Sequence, residues 1–129
     1  MLDRIYPPGA VTPRGPYAPA VRAGGFIFVS GQVPVDPVTN EFTYGDIQHE
    51  TRRTLENIRI ILEHCGASMK DVVKCNVYLK DERDFPKMNE IYVQFFGDEK
   101  RARTTVGCRF YNQQIKVEID CIAYVGDKA

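Results

Sequence analysis

The chain has 129 residues, 43% of them hydrophobic, with 17 Lys and Arg balanced by 17 Asp and Glu. That is the size of one ordinary domain with enough apolar side chains for a core, so a single domain over residues 1–129 is expected. A net charge of zero leaves no electrostatic footprint for nucleic acid, and no apolar stretch reaches the roughly 18 residues that a membrane span requires.

Met1-Leu2-Asp3-Arg4 leads into a Pro/Gly segment rather than an apolar run, so no secretory leader is expected and the location reads as cytoplasmic. The stretch YPPGAVTPRGPYAPAV cannot be helical, because proline lacks the N–H donor and its ring clashes with the preceding turn. It is too apolar for a disordered tail. An ordered arm lying on the body is expected, with a strand near residues 17–22. GGFIFVSGQV, residues 24–33, is a short run rich in Phe, Ile and Val bounded by glycines, and reads as a strand. Gly31 within it lets another backbone or a ligand come close. PVDPVTNEF follows as a turn.

From Asp46 the period changes. Ile47, Thr51, Leu55, Ile58, Leu62 and Cys65 recur at three and four, which is one helical stripe. Asp46 is placed to cap its start and Gly66 to end it in the left-handed conformation. KDVVKCNVYLK, about 70–80, is the next strand. ERDFPKMNEIYVQFFG gives a second amphipathic helix, with Pro86 in its first turn and Gly97 at its end. Two strands close the chain, about 103–109 and 115–124. In the last, Ile115, Val117, Ile119, Cys121 and Ala123 alternate with Lys116, Glu118, Asp120, Ile122 and Tyr124. In the one before it, Thr104, Val106, Cys108 and Phe110 read as the core-facing set, and Arg103, Thr105, Gly107 and Arg109 as the other. On that reading Arg103 and Glu118 both point away from the helices, and they share a sheet face if the last two strands pair.

Each helix lies between strands, so the expected architecture is a two-layer α/β (α+β) sandwich with one mixed sheet and two helices on one face. The uncovered face carries Glu118, Ile122 and Tyr124, and its mixed character implies burial against another subunit. Cys65, Cys75, Cys108 and Cys121 have no CxxC pair or zinc spacing and read as buried, reduced thiols. His49 and His64 stand alone on the first helix. No GxGxxG, P-loop, GxSxG or HExxH occurs, so neither metal nor cofactor is expected. That leaves Arg103, which can fork onto a carboxylate, and Glu118, which can order or deprotonate a water. Tyr17 and Ser30 are further candidates. The plainer role for Arg103 and Glu118 is a surface ion pair worth about 0–1 kcal/mol.

Several stretches together resemble the RidA family, the YjgF-like reactive intermediate deaminases. They are GPYAPAV (15–21), IFVSGQVPVDPVT (27–39), TLENIRIILEHCGASMKDVVKCNVYLKD (54–81), FPKMNEIYVQFF (85–96), ARTTV (102–106) and VEIDCIAYV (117–125). The resemblance covers nearly the whole chain, in family order. It implies a chorismate-mutase-like fold with a sheet of about six strands, assembled as a homotrimer with ligand clefts at the subunit interfaces. It also implies hydrolysis of 2-imino and 2-enamino acids to 2-oxo acids and ammonia, as in 2-iminobutanoate/2-iminopropanoate deaminases, without cofactor or metal. By the same resemblance Arg103 grips the substrate carboxylate and Glu118 handles the attacking water. Tyr17, Ser30, Gly31 and Thr105 then line the cleft. The chain departs from the family pattern at Arg101, where Pro is usual, at Thr105, where Cys is frequent, at Ala18-Pro19, and at Phe110-Tyr111, where Leu-Pro is usual. Arg101 and Arg109 are expected to add positive charge near the cleft. The resemblance also leaves open a specialised aminomuconate-type deaminase and a non-catalytic trimeric ligand-binding or chaperone-like protein. A ribonuclease is disfavoured by the balanced charge.

Overall fold

The computed structural model describes residues 2–126; Met1 and residues 127–129, part of the span expected for the single domain, lie outside the described residues. Six strands and two α-helices alternate in the order β1 (Asp3–Ile5), β2 (Ala20–Ala23), β3 (Phe26–Gln32), α1 (Ile47–His64), β4 (Val72–Leu79), α2 (Phe85–Phe96), β5 (Ala102–Gly107) and β6 (Val117–Tyr124). The strands form one mixed sheet in the order β1-β2-β3-β6-β4-β5. Only β4 and β5 pair in parallel, joined through α2; the other neighbours are antiparallel.

Local chemistry sets the helix ends. Asp46 Oδ1 accepts the His49 N–H at 2.8 Å, satisfying a first-turn donor that no preceding carbonyl can reach. Past the other end of α1, Gly66 takes φ +78°, and Arg22 on β2 donates to the Cys65 carbonyl at 2.7 Å, placing a cation at the negative end of the helix. Pro86 lies in the first turn of α2, after a short 3-10 turn over Glu82–Asp84. Both helices pack on the face formed by Ile27, Val29, Cys75, Val77, Leu79, Val117, Ile119 and Cys121, closing one continuous core with Leu55, Ile58, Leu62, Met88 and Ile91. The alternation expected for β6 holds: Val117, Ile119, Cys121 and Ala123 are buried, while Glu118, Asp120 and Ile122 are half-buried on the opposite face and Tyr124 is exposed there.

The N-terminal arm is ordered, and it contributes β1 as an edge strand on β2, a pairing too short to show in the sequence pattern. Two thiols, Cys75 and Cys121, are buried as expected. Cys65 and Cys108 are only half-buried.

One expectation about the sheet is overturned. The last two strands do not pair, because β4 lies between them. β5 runs parallel to β4 with Cys75 beside Arg103 and Val77 beside Thr105. Neighbours in register point to the same face, so Arg103 and Thr105 lie on the helix side with those core residues. Ala102, Thr104 and Val106 are exposed on the other side. The apolar set of this stretch therefore faces the open side of the sheet, because β5 is an edge strand whose helix-facing residues meet the flank of α2 instead of the core's centre.

Candidate functional site

The open face of the sheet holds two adjacent carboxylates on β6 in different circumstances. Asp120 accepts from Asn76 Nδ2 at 2.9 Å and from the Tyr78 hydroxyl at 3.1 Å, both on β4. Glu118, beside Tyr78 in register, has no side-chain hydrogen bond or ion pair among the described residues. Burial, and then the charge of Asp120, push the Glu118 carboxyl above its ordinary pKa. The result is a half-buried base with an open coordination shell.

Gly31 makes room for it. A bulge in β3 between Val29 and Gln32 puts Ser30 and Gly31 together opposite the middle of β6, while Gln32 returns to the core side beside Ile119. A Cβ on Gly31 would overlap Glu118 Oε2 and lie 3.0 Å from its Cδ, so only glycine lets the carboxylate rest over this backbone. Ser30 serves the same assembly structurally. Its hydroxyl donates to the Ala18 carbonyl at 2.6 Å and its N–H to the Pro19 carbonyl at 2.9 Å, which ties the arm to the bulge. Tyr17 stands on that arm, exposed at 47%, and lines a small cleft with Arg14, Gly31 and Gln32. On its other side Glu118 lines a pocket of about 270 Å³ with Tyr78, Cys108, Arg109, Phe110 and Tyr111. The Cys108 thiol is raised by burial and then by the Glu118 charge.

Arg103 is elsewhere. Its guanidinium lies 4.7 Å from the Tyr92 ring centroid and 5.3 Å from that of Phe85, and Nη1 donates to Asn89 Oδ1 at 2.8 Å. All three partners come from α2, where positions 85, 89 and 92 share one helical face. The group is thus fixed in direction, with Nε and Nη2 uncommitted among the described residues, beside a pocket of about 350 Å³ lined also by Val93, Lys100 and Arg101. Thr105, next on the same face, has a buried hydroxyl without a partner. Arg101 is not a free charge: it donates to the carbonyls of Val72 at 2.9 Å, Glu99 at 2.9 Å and Phe96 at 3.3 Å, and stacks on the Phe96 ring. It clamps the end of α2 to the start of β4.

The expected residues therefore fall into two groups. Tyr17, Ser30, Gly31 and Glu118 gather around the bulge on the open face. Arg103 and Thr105 sit at the β5 edge against α2, so the shared face expected for Arg103 and Glu118, and the ion pair between them, do not form within one chain. Sequence reasoning missed Asn89, Phe85 and Tyr92 as the seat of Arg103; their spacing along one helix face was the available signal. Among the described residues no cluster of three metal-type ligands is present, and no helix is long and apolar enough to cross a membrane.

Residues 8–125 match the protein family described as endoribonuclease L-PSP. A RutC family protein of Pyrococcus horikoshii is 48% identical over 124 residues, spanning 96% of this chain and 98% of that protein. Among solved structures, RidA from the Antarctic bacterium Psychrobacter sp. matches with a TM-score of 0.90 at 35% identity, over 95% of this chain and 99% of that one. TdcF of E. coli with bound serine matches with a TM-score of 0.88 at 35% identity, over 96% of this chain and 100% of that one.

Proposed function

We propose an enzymatic reading on a plain premise: this chain belongs to the endoribonuclease L-PSP family, the family of the RidA and YjgF proteins. It hydrolyses reactive 2-imino and 2-enamino acids to 2-oxo acids and ammonia, in clefts between the subunits of a homotrimer. The observation that carries this reading is the half-buried, unpartnered Glu118 held over Gly31. A carboxylate left without a partner is costly unless a ligand or water uses it.

The chemistry needs two groups. A fixed guanidinium binds the substrate α-carboxylate in a fork through its two free donors, and Arg103 is held for that purpose by Asn89, Tyr92 and Phe85. A base then directs water onto the C=N carbon. Glu118 takes a proton from the water as the C–O bond forms, giving a carbinolamine, and returns it to the nitrogen. The imine reacts as its iminium form, so as the C–N bond breaks and the C=O bond forms the carbinol hydroxyl gives its proton to Glu118, and the departing ammonia carries that proton away as ammonium. Enamines enter after tautomerising to the imine. General acid–base help of about 10²–10⁴-fold suffices for a reaction that water already performs slowly. Tyr17 and the Gly31 backbone wall the cleft beside Glu118, Ser30 holds that wall in place, and the Thr105 hydroxyl lies beside Arg103. No cofactor or metal takes part.

Arg103 and Glu118 lie on opposite faces of one sheet, so the complete site draws them from different copies of the chain. The exposed aromatic patch of Phe26, Phe28 and Tyr124 on the open face supports such an assembly. The serine bound to the E. coli relative supports a small ligand bearing an α-carboxylate. A ribonuclease reading finds no basic surplus to hold phosphates.

The test is a coupled assay. An amino-acid oxidase generates 2-iminobutyrate or 2-iminopropionate, and semicarbazide traps the surviving imine. Wild type is expected to deplete the imine and Arg103→Ala to leave it. An inert wild type that is folded and assembled would remove the reading.

A further inference from the structure

The pocket on the outer side of Glu118 has a cation that nothing above uses. Arg109 follows β5, where the Cys108 N–H donates to the Leu79 carbonyl at 2.8 Å and turns the chain toward β6. Of the cations earlier in the same stretch, Arg101 is committed to backbone carbonyls, and Arg103, seated on Asn89, has its free donors assigned above to the α-carboxylate. Arg109 has no hydrogen-bond or ion-pair partner among the described residues, although Glu118 lines the same pocket. Nor does Asp120 answer it, because that carboxylate is already held by Asn76 and Tyr78. The pocket, open to solvent, is therefore lined by the Glu118 carboxylate, by the exposed Arg109 with its guanidinium unpaired among the described residues, and by the Phe110 and Tyr78 rings. Its volume of about 270 Å³ is well above the ~10–15 Å³ that a single water needs, so a short acidic side chain has room there.

We infer that this pocket is a subsite for a second, side-chain carboxylate, so that the preferred substrates are 2-imino acids of the dicarboxylate class, with Arg109 as the specificity-determining residue. This rests on the deaminase reading for its chemistry but not for the binding it claims. Arg103 takes the α-carboxylate, Glu118 directs the water at C2, and the substrate's side chain runs along Phe110 so that its distal carboxylate meets Arg109. An arginine suits that place because its fork matches a carboxylate and its charge persists at any working pH. The reaction is unchanged: water adds, ammonia leaves, and a 2-oxo diacid is released.

The experiment uses the full chain in its native assembly, as wild type, Arg109→Gln and Arg109→Lys. First, kcat/KM is compared for 2-iminoglutarate and 2-iminobutyrate, each generated in situ by an oxidase and trapped with semicarbazide. Second, calorimetry compares binding of the products 2-oxoglutarate and 2-oxobutyrate. The expected result is a diacid preference in wild type in both measurements. Arg109→Gln lowers the diacid-to-monoacid ratio at least about tenfold, the scale of one charge-assisted hydrogen bond, and Arg109→Lys keeps most of it. A ratio that Arg109→Gln leaves unchanged in both measurements overturns the subsite. If wild type hydrolyses no imine yet binds 2-oxoglutarate more tightly than 2-oxobutyrate, and Arg109→Gln abolishes that difference, the subsite stands and the deaminase reading falls.

Discussion

The two faces of this sheet are made from the same strands, yet they obey different rules. On the helix side, Ile27, Val77 and Ile119 are fully buried, and the centre of that face is apolar because α1 and α2 exclude water there, with the polar Gln32, Arg103 and Thr105 only toward its margins. On the other side, residues one step along the same strands are Phe28, Tyr78 and Glu118, none of them fully buried. The first face holds the chain together. The second keeps aromatic surface and an unpartnered carboxylate that a stability-only design would have removed. Alternation along one strand lets both purposes coexist without interfering, since each side chain belongs to one face only.

That contrast can be broken by substitutions on each face. The largest effect is expected from Glu118→Gln, which removes the base while keeping its shape: imine turnover falls about 10²–10⁴-fold in the semicarbazide assay with the assembly intact. A loss below tenfold would place the base elsewhere. Next is Gly31→Ala, whose added methyl must displace the Glu118 carboxylate. A shift of about 1 Å in a reacting group costs about 10²-fold, so kcat should fall while circular dichroism stays unchanged; full activity would mean that the close approach is incidental.

On the helix side, Ile119→Ala should cost about 2–5 kcal/mol in denaturant unfolding, from lost burial plus a cavity. Phe28→Glu, on the open face, should instead leave the folded chain intact and shift sedimentation toward monomer. Persistence of the oligomer in Phe28→Glu would show that the aromatic patch is not an interface.

The smallest effect concerns pH. Burial and Asp120 raise the folded pKa of Glu118 above its unfolded value. The resulting contribution to stability is present below the unfolded pKa and is lost as pH rises through the folded one. At pH 7 the ionised, unpartnered group therefore weakens the fold, and Glu118→Gln should melt a few degrees higher at most. The advantage should vanish toward about pH 3, below the unfolded pKa of about 4.3, where the carboxyl is neutral in both states. An advantage that persists there would point to packing rather than charge.

Much of this was legible in the sequence. The α1 stripe from Ile47 to Leu62, its Asp46 cap and the two-residue period of β6 each state their geometry outright, because a buried face leaves one solution. β5 was misread for the converse reason. At a sheet edge neither face is fully enclosed, so the apolar Val106 does not mark the core, and Phe110 lies beyond the strand, which ends at Gly107. Nor could periodicity reveal that β4 separates β5 from β6, since strand order depends on contacts distant in sequence. The candidate residues followed suit: Tyr17, Ser30, Gly31 and Glu118 gather around the β3 bulge, while Arg103, expected on the open face, lies on the helix side.

The central position of β6 has a consequence for how the molecule is made. It lies between β3 and β4 and hydrogen-bonds to both, though it is the last strand in chain order. Until Val117 and its successors emerge during synthesis, the nascent chain holds a three-stranded meander and a separate β4–α2–β5 unit, each with a raw apolar edge. Long-range pairing of this kind is slow to nucleate and exposed to misassembly while it waits. The last strand therefore works as the keystone of folding, and a chain truncated just before residue 117 would be left with two half-sheets, each with an edge open to any partner strand.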